Sequence, residues 1–279
     1  MVQIVADTLS SIPVEEAKRL NLPYLPQIII FGENSYRDDS EIDSETFLEK
    51  LKTSKELPKT AAPYPVLYNP IFENLSKSGE PILVICPSSK VSGTVRSVEV
   101  AAQEFPQANI QIFDAPILGA GLGTLVRKAL GYAKDGMDIS TLMAKLKDMA
   151  SRNRTYFLLD TLEYLRKGGR IGAAKALMGG ILQVKPILAF RNGQVEPVES
   201  LRTKAKAISR LIDIVKSECP QNDEANFCIQ VGSDKEEARL ISEEFKKILN
   251  VTKVPMYTVP PAILVHGGPN VLGVSFFIN

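Results

Sequence analysis

The sequence predicts an α/β protein of two domains: a parallel three-layer α/β/α domain, then an α/β domain built on a mixed sheet. Up to about residue 152, short apolar runs alternate with segments of helical period, the pattern of a parallel sheet flanked by helices. Beyond that point "VKPILAF-RNG-QVEPVES" reads as two strands joined by an Asn-Gly turn, so hairpins mix with helices. The expected division is therefore 1–152 and 153–279.

Taken in order, "VQIVAD" reads as a first strand, and "IPVEEAKRL" as a helix with proline at its start. "YLPQIIIFG" is a second apolar run. "DSETFLEKL" is a helix capped by Asp43 or Ser44, whose side-chain oxygens accept from amides left unpaired in the first turn. "PKTAAPYP" reads as a stiff proline-rich loop. The strand "PILVIC", a helix from about Thr94, the strand "NIQIFDA" and a long helix around residues 117–134 follow. A helix near 140–151 precedes the strand "TYFLLD" and the glycine-dotted "RKGGRIG". After the hairpin come the helix "TKAKAISRLIDIVKSE", the strand "NFCIQVGS", a helix over 235–249, and the terminal strands "VPMYTVP" and "VLGVSFFIN".

Composition narrows the function classes. The chain has 279 residues, 44% apolar and 23% charged, an ordinary globular balance. A net charge of +1 argues against binding nucleic acid or an acidic membrane surface. The three cysteines, Cys86, Cys219 and Cys228, form no C-x-x-C pair, which fits a reducing compartment. "MVQIVADTLSS" lacks the basic start of a signal peptide, and a cytoplasmic location is expected. The longest apolar stretch, "APILGAGLGTLVRKALGYA", carries Arg127 and Lys128 and reads as a buried helix, so no membrane insertion is expected. The single histidine, His266, excludes multi-histidine metal chemistry.

Several short stretches bring polar groups to strand ends. In "PSSKVSGTVRS", Ser88, Ser89, Ser92 and Thr94 crowd a strand-to-helix turn, where free amides and the helix dipole favour an anion. Ser92 acting merely as a helix cap is the alternative. "GAGLG" at 119–123 brings its third glycine one position too early for a dinucleotide fingerprint. Asp7, Asp114 and Asp160 each close an apolar run; helix capping explains them more simply than a metal cluster, and no metal is expected. Arg166, Lys167 and Arg170 place three cations among glycines, either to meet an acidic partner or as solvated charges. "LVHGGPN" sets His266 after an apolar run read as a strand, beside glycines that let a ligand approach.

Together, "ADT", "PKTAAP", "SSKVSGT", "DAPILGAGLG", "LEYLRKGGRIG", "VKPILAFRNGQVEPVESLRTKAKA" and "HGGP" resemble, in order and over nearly the whole chain, the DegV family of bacterial fatty-acid-binding proteins. The resemblance implies a two-domain DegV-like fold with a long-chain fatty acid such as palmitate held between the domains. It implies lipid transport or presentation to a separate fatty acid kinase, with no cofactor and no enzymatic role of the chain's own. By position in the family motifs, Thr60 and Ser92 hold the carboxylate, with Gly93 and Thr94 beside them, and His266 and Arg202 lie near the head group. Arg166, Lys167 and Arg170 are the residues expected to dock the kinase. Ala61 and Ala62 replace a serine and a glutamine common in the family's "T-S-Q-P". A reading from another class is an acyl hydrolase with Ser92 as nucleophile, His266 as base, and Asp7 or Asp114 completing the set. "VSGT" is not the G-x-S-x-G elbow such enzymes use.

Overall fold

A computed structural model describes residues 1–179 and 184–279, and among these residues the strands form three sheets. The first is parallel, in the order β2-β1-β6-β7, from β1 (Gln3–Asp7), β2 (Tyr24–Leu25), β6 (Ile82–Cys86) and β7 (Ile110–Asp114). Side chains alternate across it, as strand geometry requires. Ile4, Ala6, Leu83 and Ile85 join one core cluster with residues of α1 (Val14–Arg19), α5 (Ala120–Lys134) and α6 (Ile139–Arg152). Val5, Ile82, Val84 and Cys86 join another with α3 (Asn69–Ser76) and α4 (Thr94–Ala102). The result is three layers.

Two short segments depart from expectation. "YLPQIIIFG" is split at Pro26, which has no N–H to donate to a ladder. Tyr24–Leu25 pairs with β1, while β3 (Ile28–Phe31) becomes the centre of an antiparallel sheet between β4 (Asn34–Arg37) and β5 (Lys59–Ala61). "PKTAAP", expected as a loop, is therefore an edge strand bracketed by prolines, a position that tolerates them. Asp43 caps α2 (Ser44–Thr53) by accepting from the Thr46 amide at 2.8 Å.

Past Arg152 the chain enters a six-stranded mixed sheet, ordered β10-β9-β8-β13-β11-β12. Its strands are β8 (Asn153–Leu158), β9 (Lys185–Arg191), β10 (Gln194–Leu201), β11 (Cys228–Val231), β12 (Met256–Thr258) and β13 (Leu272–Phe277). Asn192 and Gly193 turn the β9–β10 hairpin with φ of 51° and 77°, the conformation an Asn-Gly pair provides. One face packs on α8 (Lys204–Glu218) and α9 (Lys235–Leu249) through Ile187, Ile229, Val274, Leu211 and Phe245. The other face, with Leu188 and Phe190, packs on α10 (Pro261–Gly267) and α2; the five-residue helix α7 (Glu163–Lys167) adjoins α10. The "AILVH" stretch is thus helical, not a strand. Pro260–Pro261 starts it and Gly268, at φ 82°, ends it, the usual punctuation of a helix.

Polar side chains tie the parallel and mixed sheets together. The Gln230 amide on β11 donates to Ser11 Oγ at 2.8 Å, and its oxygen accepts the Ala120 N–H at 2.8 Å. Gly119 must lack a side chain there, since a Cβ would lie 2.3 Å from that oxygen. Ser88 Oγ donates to the Gly193 carbonyl at 2.7 Å. Replacing Gln230 by Leu strands the Ala120 amide in the interior. The expected loss is ~2–3 kcal/mol, read as a lower denaturant midpoint at unchanged slope.

Candidate functional site

Between the C-terminal ends of the parallel strands, the inner face of the mixed sheet and β5 lies a partly open cavity of about 1000 Å³, the space at its mouth included. Leu9, Val91 and Leu118 line it from the N-terminal side, and Phe157, Phe190, Val195 and Ile263 from residues beyond Arg152. The walls are predominantly apolar, and a few polar groups converge in them, the usual form of a small-molecule site.

Thr60 and Ser92 both face this cavity. Thr60 is placed by pairing with Ile29 on β3, and Ser92 by the turn into α4, where its amide donates to the Ser88 carbonyl at 3.0 Å. The two segments are clasped together. Ser97 on α4 donates to the Pro63 carbonyl, and a Cβ on Gly93 would come within 3.3 Å of the Ala62 Cβ. Two small residues therefore let the strand and the turn meet.

His266 Nε2 lies 2.9 Å from Thr60 Oγ1. Its ring packs, largely buried, beside Gly168, where a Cβ would sit 2.1 Å from Nδ1, and among the described residues Nδ1 has no hydrogen-bond partner. Burial, reinforced by the Arg170 charge, lowers its pKa to about 4, so the ring is neutral near pH 7. A stranded N–H costs more than a bare lone pair, which assigns the proton to Nε2. Nε2–H then donates to Thr60, and the Thr60 proton is left for the cavity.

Ser92 Oγ accepts the Thr94 N–H at 3.2 Å and lies 3.0 Å from Thr94 Oγ1. Thr94 does not itself line the cavity; it is buried and bonded to Asp7 at 2.9 Å. Gln27 donates to both Asp7 and Thr94, at 2.9 and 3.1 Å. Asp38 accepts from Thr8 Oγ1 and the Gln27 amide, each at 2.7 Å, and among the described residues its second oxygen has no partner. Burial raises Asp7 to about 7 and Asp38 to about 8.

The remaining expected residues separate. Arg170 is turned inward, donating to the carbonyls of Gly168 at 2.6 Å and Val91 at 3.2 Å, and lines the cavity instead of sharing a surface patch. Arg166 and Lys167 are exposed on α7, where Lys167 pairs with Glu163. Arg202, expected beside the head group, is exposed in the bend between β10 and α8, where the chain turns for the Thr203 cap, and is not among the lining residues. Asp114 is held by Ser89, and Asp160 by Lys185 and Asn270. No hydrogen bond joins Ser92 to His266 among the described residues: Ser92 Oγ is engaged with Thr94 and His266 Nε2 with Thr60, so a nucleophile–base pair is not assembled. Gln27 and Asp38 carried no local signal in the sequence. The fold alone brings them to the end of β1.

The family model described as an uncharacterised protein of the DegV family matches residues 1–279. A DegV domain-containing protein of Halalkalibacterium halodurans is 30% identical over 279 residues, 100% of this chain and 99% of the relative. Protein DegV of Bacillus subtilis is 32% identical over 244 residues, 87% of each. Among solved structures, DegV from Bacillus subtilis, described as a fatty acid binding protein, superposes with a TM-score of 0.88 at 30% identity, covering 100% and 99% of the two chains. A DegV family protein from Thermus thermophilus, described by its fatty acid binding, gives 0.90 at 25% identity, with 100% and 99% covered. A stearic acid-binding protein from Eubacterium ventriosum gives 0.89 at 25%, with 100% and 98% covered.

The buried carboxyls make stability depend on pH. Folded Asp7 and Asp38 keep protons that the unfolded chain loses near pH 4, so stability falls as pH rises through about 7–8. His266 acts oppositely, but only between about pH 4 and 6.5. Melting temperature is therefore expected to drop from about pH 6.5 to 8, and the drop to shrink in Asp38→Asn. An identical profile in that variant, measured by thermal unfolding, contradicts the assignment.

Proposed function

The chain belongs to the DegV family, and from that premise we propose that it holds a long-chain fatty acid, its carboxylate on Thr60 and Ser92 and its tail in the apolar cavity. The observation that carries this reading is that both hydroxyls, on segments distant in sequence, open into one predominantly apolar cavity. The fatty-acid-binding descriptions of the Bacillus subtilis and Thermus thermophilus structures support it. The lipid then lies between the units 1–152 and 153–279.

Magnitudes divide the work between tail and head. Each methylene removed from water contributes roughly 0.8 kcal/mol, so a chain of about fourteen contributes on the order of 11 kcal/mol before the cost of association. A hydrogen bond to a charged group adds about 1.5–3 kcal/mol. The tail supplies affinity, and Thr60 and Ser92 fix which end lies at the polar side. A carboxylate without such donors would take up a proton instead. Neutral His266 directs the Thr60 proton, and Arg170 supplies positive charge nearby.

The chain acts as a carrier or presenter in the cytoplasm. Phosphoryl transfer needs a nucleotide and normally Mg²⁺, which we assign to a separate fatty acid kinase. Exposed Arg166 and Lys167 are the proposed docking charges for it.

Protein purified from bacteria, denatured, extracted and analysed by mass spectrometry is expected to release fatty acid in near-stoichiometric amount. Thr60→Ala and Ser92→Ala should each weaken retention about 10- to 100-fold. Protein that is empty and also refuses added fatty acid overturns the reading. Reversing charge at Arg166 and Lys167 should reduce kinase-dependent phosphorylation with lipid content unchanged; undiminished phosphorylation removes the docking assignment.

A further inference from the structure

Behind the cavity wall, a line of hydroxyls runs from Ser92 into the interior and ends on a carboxyl. Ser92 Oγ is 3.0 Å from Thr94 Oγ1, and Thr94 Oγ1 is 2.9 Å from Asp7 Oδ2. The other Asp7 oxygen accepts the Leu9 N–H at 3.0 Å. A hydroxyl has one proton to give, so the direction of donation along this line is set at its far end. With Asp7 ionised, Thr94 gives its proton to Asp7 and presents a lone pair to Ser92. The Ser92 proton is then drawn inward, away from the cavity. With Asp7 protonated on Oδ2, the proton donates to Thr94 Oγ1, the Thr94 proton turns to Ser92 Oγ, and the Ser92 proton points into the cavity.

We propose that Asp7 is a positioning residue for the ligand's carboxylate: when protonated, it aims the Ser92 hydroxyl outward through Thr94, so that a bound carboxylate and a proton on Asp7 favour one another. This rests on the fatty-acid reading and deepens it. Binding is then accompanied by proton uptake, and the ligand's carboxylate is backed by a neutral Asp7 instead of a second negative charge.

The surroundings of Asp7 suit that role. It is buried, and burial dominates its environment, bringing its titration to about 7. Facing it from the other elements are Asp38 after β4, Tyr24 on β2, Tyr68 ahead of α3 and Cys86 on β6. Burial pushes the two phenols and the thiol upward, so they stay neutral through the range in which Asp7 titrates. Repulsion from Asp7 and Asp39 adds to the effect of burial on Asp38, and among the described residues no cation is one of the groups that shift Asp7 or Asp38. His266, lowered to about 4, does not change charge in this range.

The test uses the full chain stripped of lipid and titrated calorimetrically with dodecanoate from about pH 6 to 9, where the ligand is ionised. Buffers of different ionisation enthalpy give the protons exchanged. The wild-type protein is expected to take up protons on binding and to bind on the order of tenfold more weakly at the alkaline end. Asp7→Asn should bind with a flat pH profile and no uptake. Thr94→Val keeps the Asp7 carboxyl but cuts the hydroxyl line; it too should lose the uptake, which secures the test should Asp7→Asn fold poorly. Thr60→Ala should weaken binding yet keep the uptake, and Asp38→Asn should also keep it. Uptake that persists in Asp7→Asn or Thr94→Val, or that is absent from wild type while dodecanoate binds, overturns the role of Asp7. Failure of wild type to bind dodecanoate at any pH overturns the fatty-acid reading itself and the present inference with it.

Discussion

A carboxyl group buried at the end of a central strand needs donors, and at Asp7 neutral groups supply them. Leu9, Gln27 and Thr94 converge on it from a turn, a loop and a helix start. Removing a charge from water without such bonds is among the costliest steps in folding. The arrangement therefore fixes where α4 begins relative to β1. It also fixes Gln27, whose backbone amide reaches Asp38 and whose side chain reaches Thr94. From these anchors follow the direction of β3, the placement of β5 beside it, and hence the position of Thr60.

The cavity owes its shape to close approaches that only small residues permit. Gly93 meets Ala62 where the Thr60 strand crosses the Ser92 turn, and Gly168 leaves room for the His266 ring. A side chain at Gly93 would press on Ala62, and one at Gly168 on the His266 ring. Ala61 and Ala62, which depart from the family pattern, leave Thr60 as the hydroxyl of that strand. In the proposed binding mode, head-group contacts from this strand would rest on fewer donors than "T-S-Q-P" would offer.

Neutral groups dominate the polar end. His266 is held uncharged by burial, and Ser92 and Thr60 donate without carrying charge, while Arg170 is largely committed to backbone carbonyls. Such a site suits holding an acid and releasing it again. A full ion pair in the same low-dielectric setting would bind the head group more firmly but demand more desolvation. A serine hydrolase would require its serine and histidine to face each other. Here each faces a threonine instead.

Much of this was readable from the chain itself. Strand–helix alternation and the Asn-Gly turn are local signals, because side-chain periodicity and positive φ are properties of a few neighbouring residues. The motifs carrying Thr60, Ser92 and His266 were likewise legible, and so was the DegV family to which they belong. The helix over Pro261–Gly267 also had its signal in the flanking prolines and glycines, although its apolar run read as a strand. What the linear order could not contain was adjacency. Only the tertiary structure turned Arg170 inward and left Arg202 outside the cavity. It alone paired His266 with Thr60 and brought Asp7, Gln27, Asp38 and Thr94 into one buried cluster. The physical reason is that burial and hydrogen-bond geometry, which decide protonation and the direction of each hydroxyl, arise only when strands and loops far apart in sequence exclude water together.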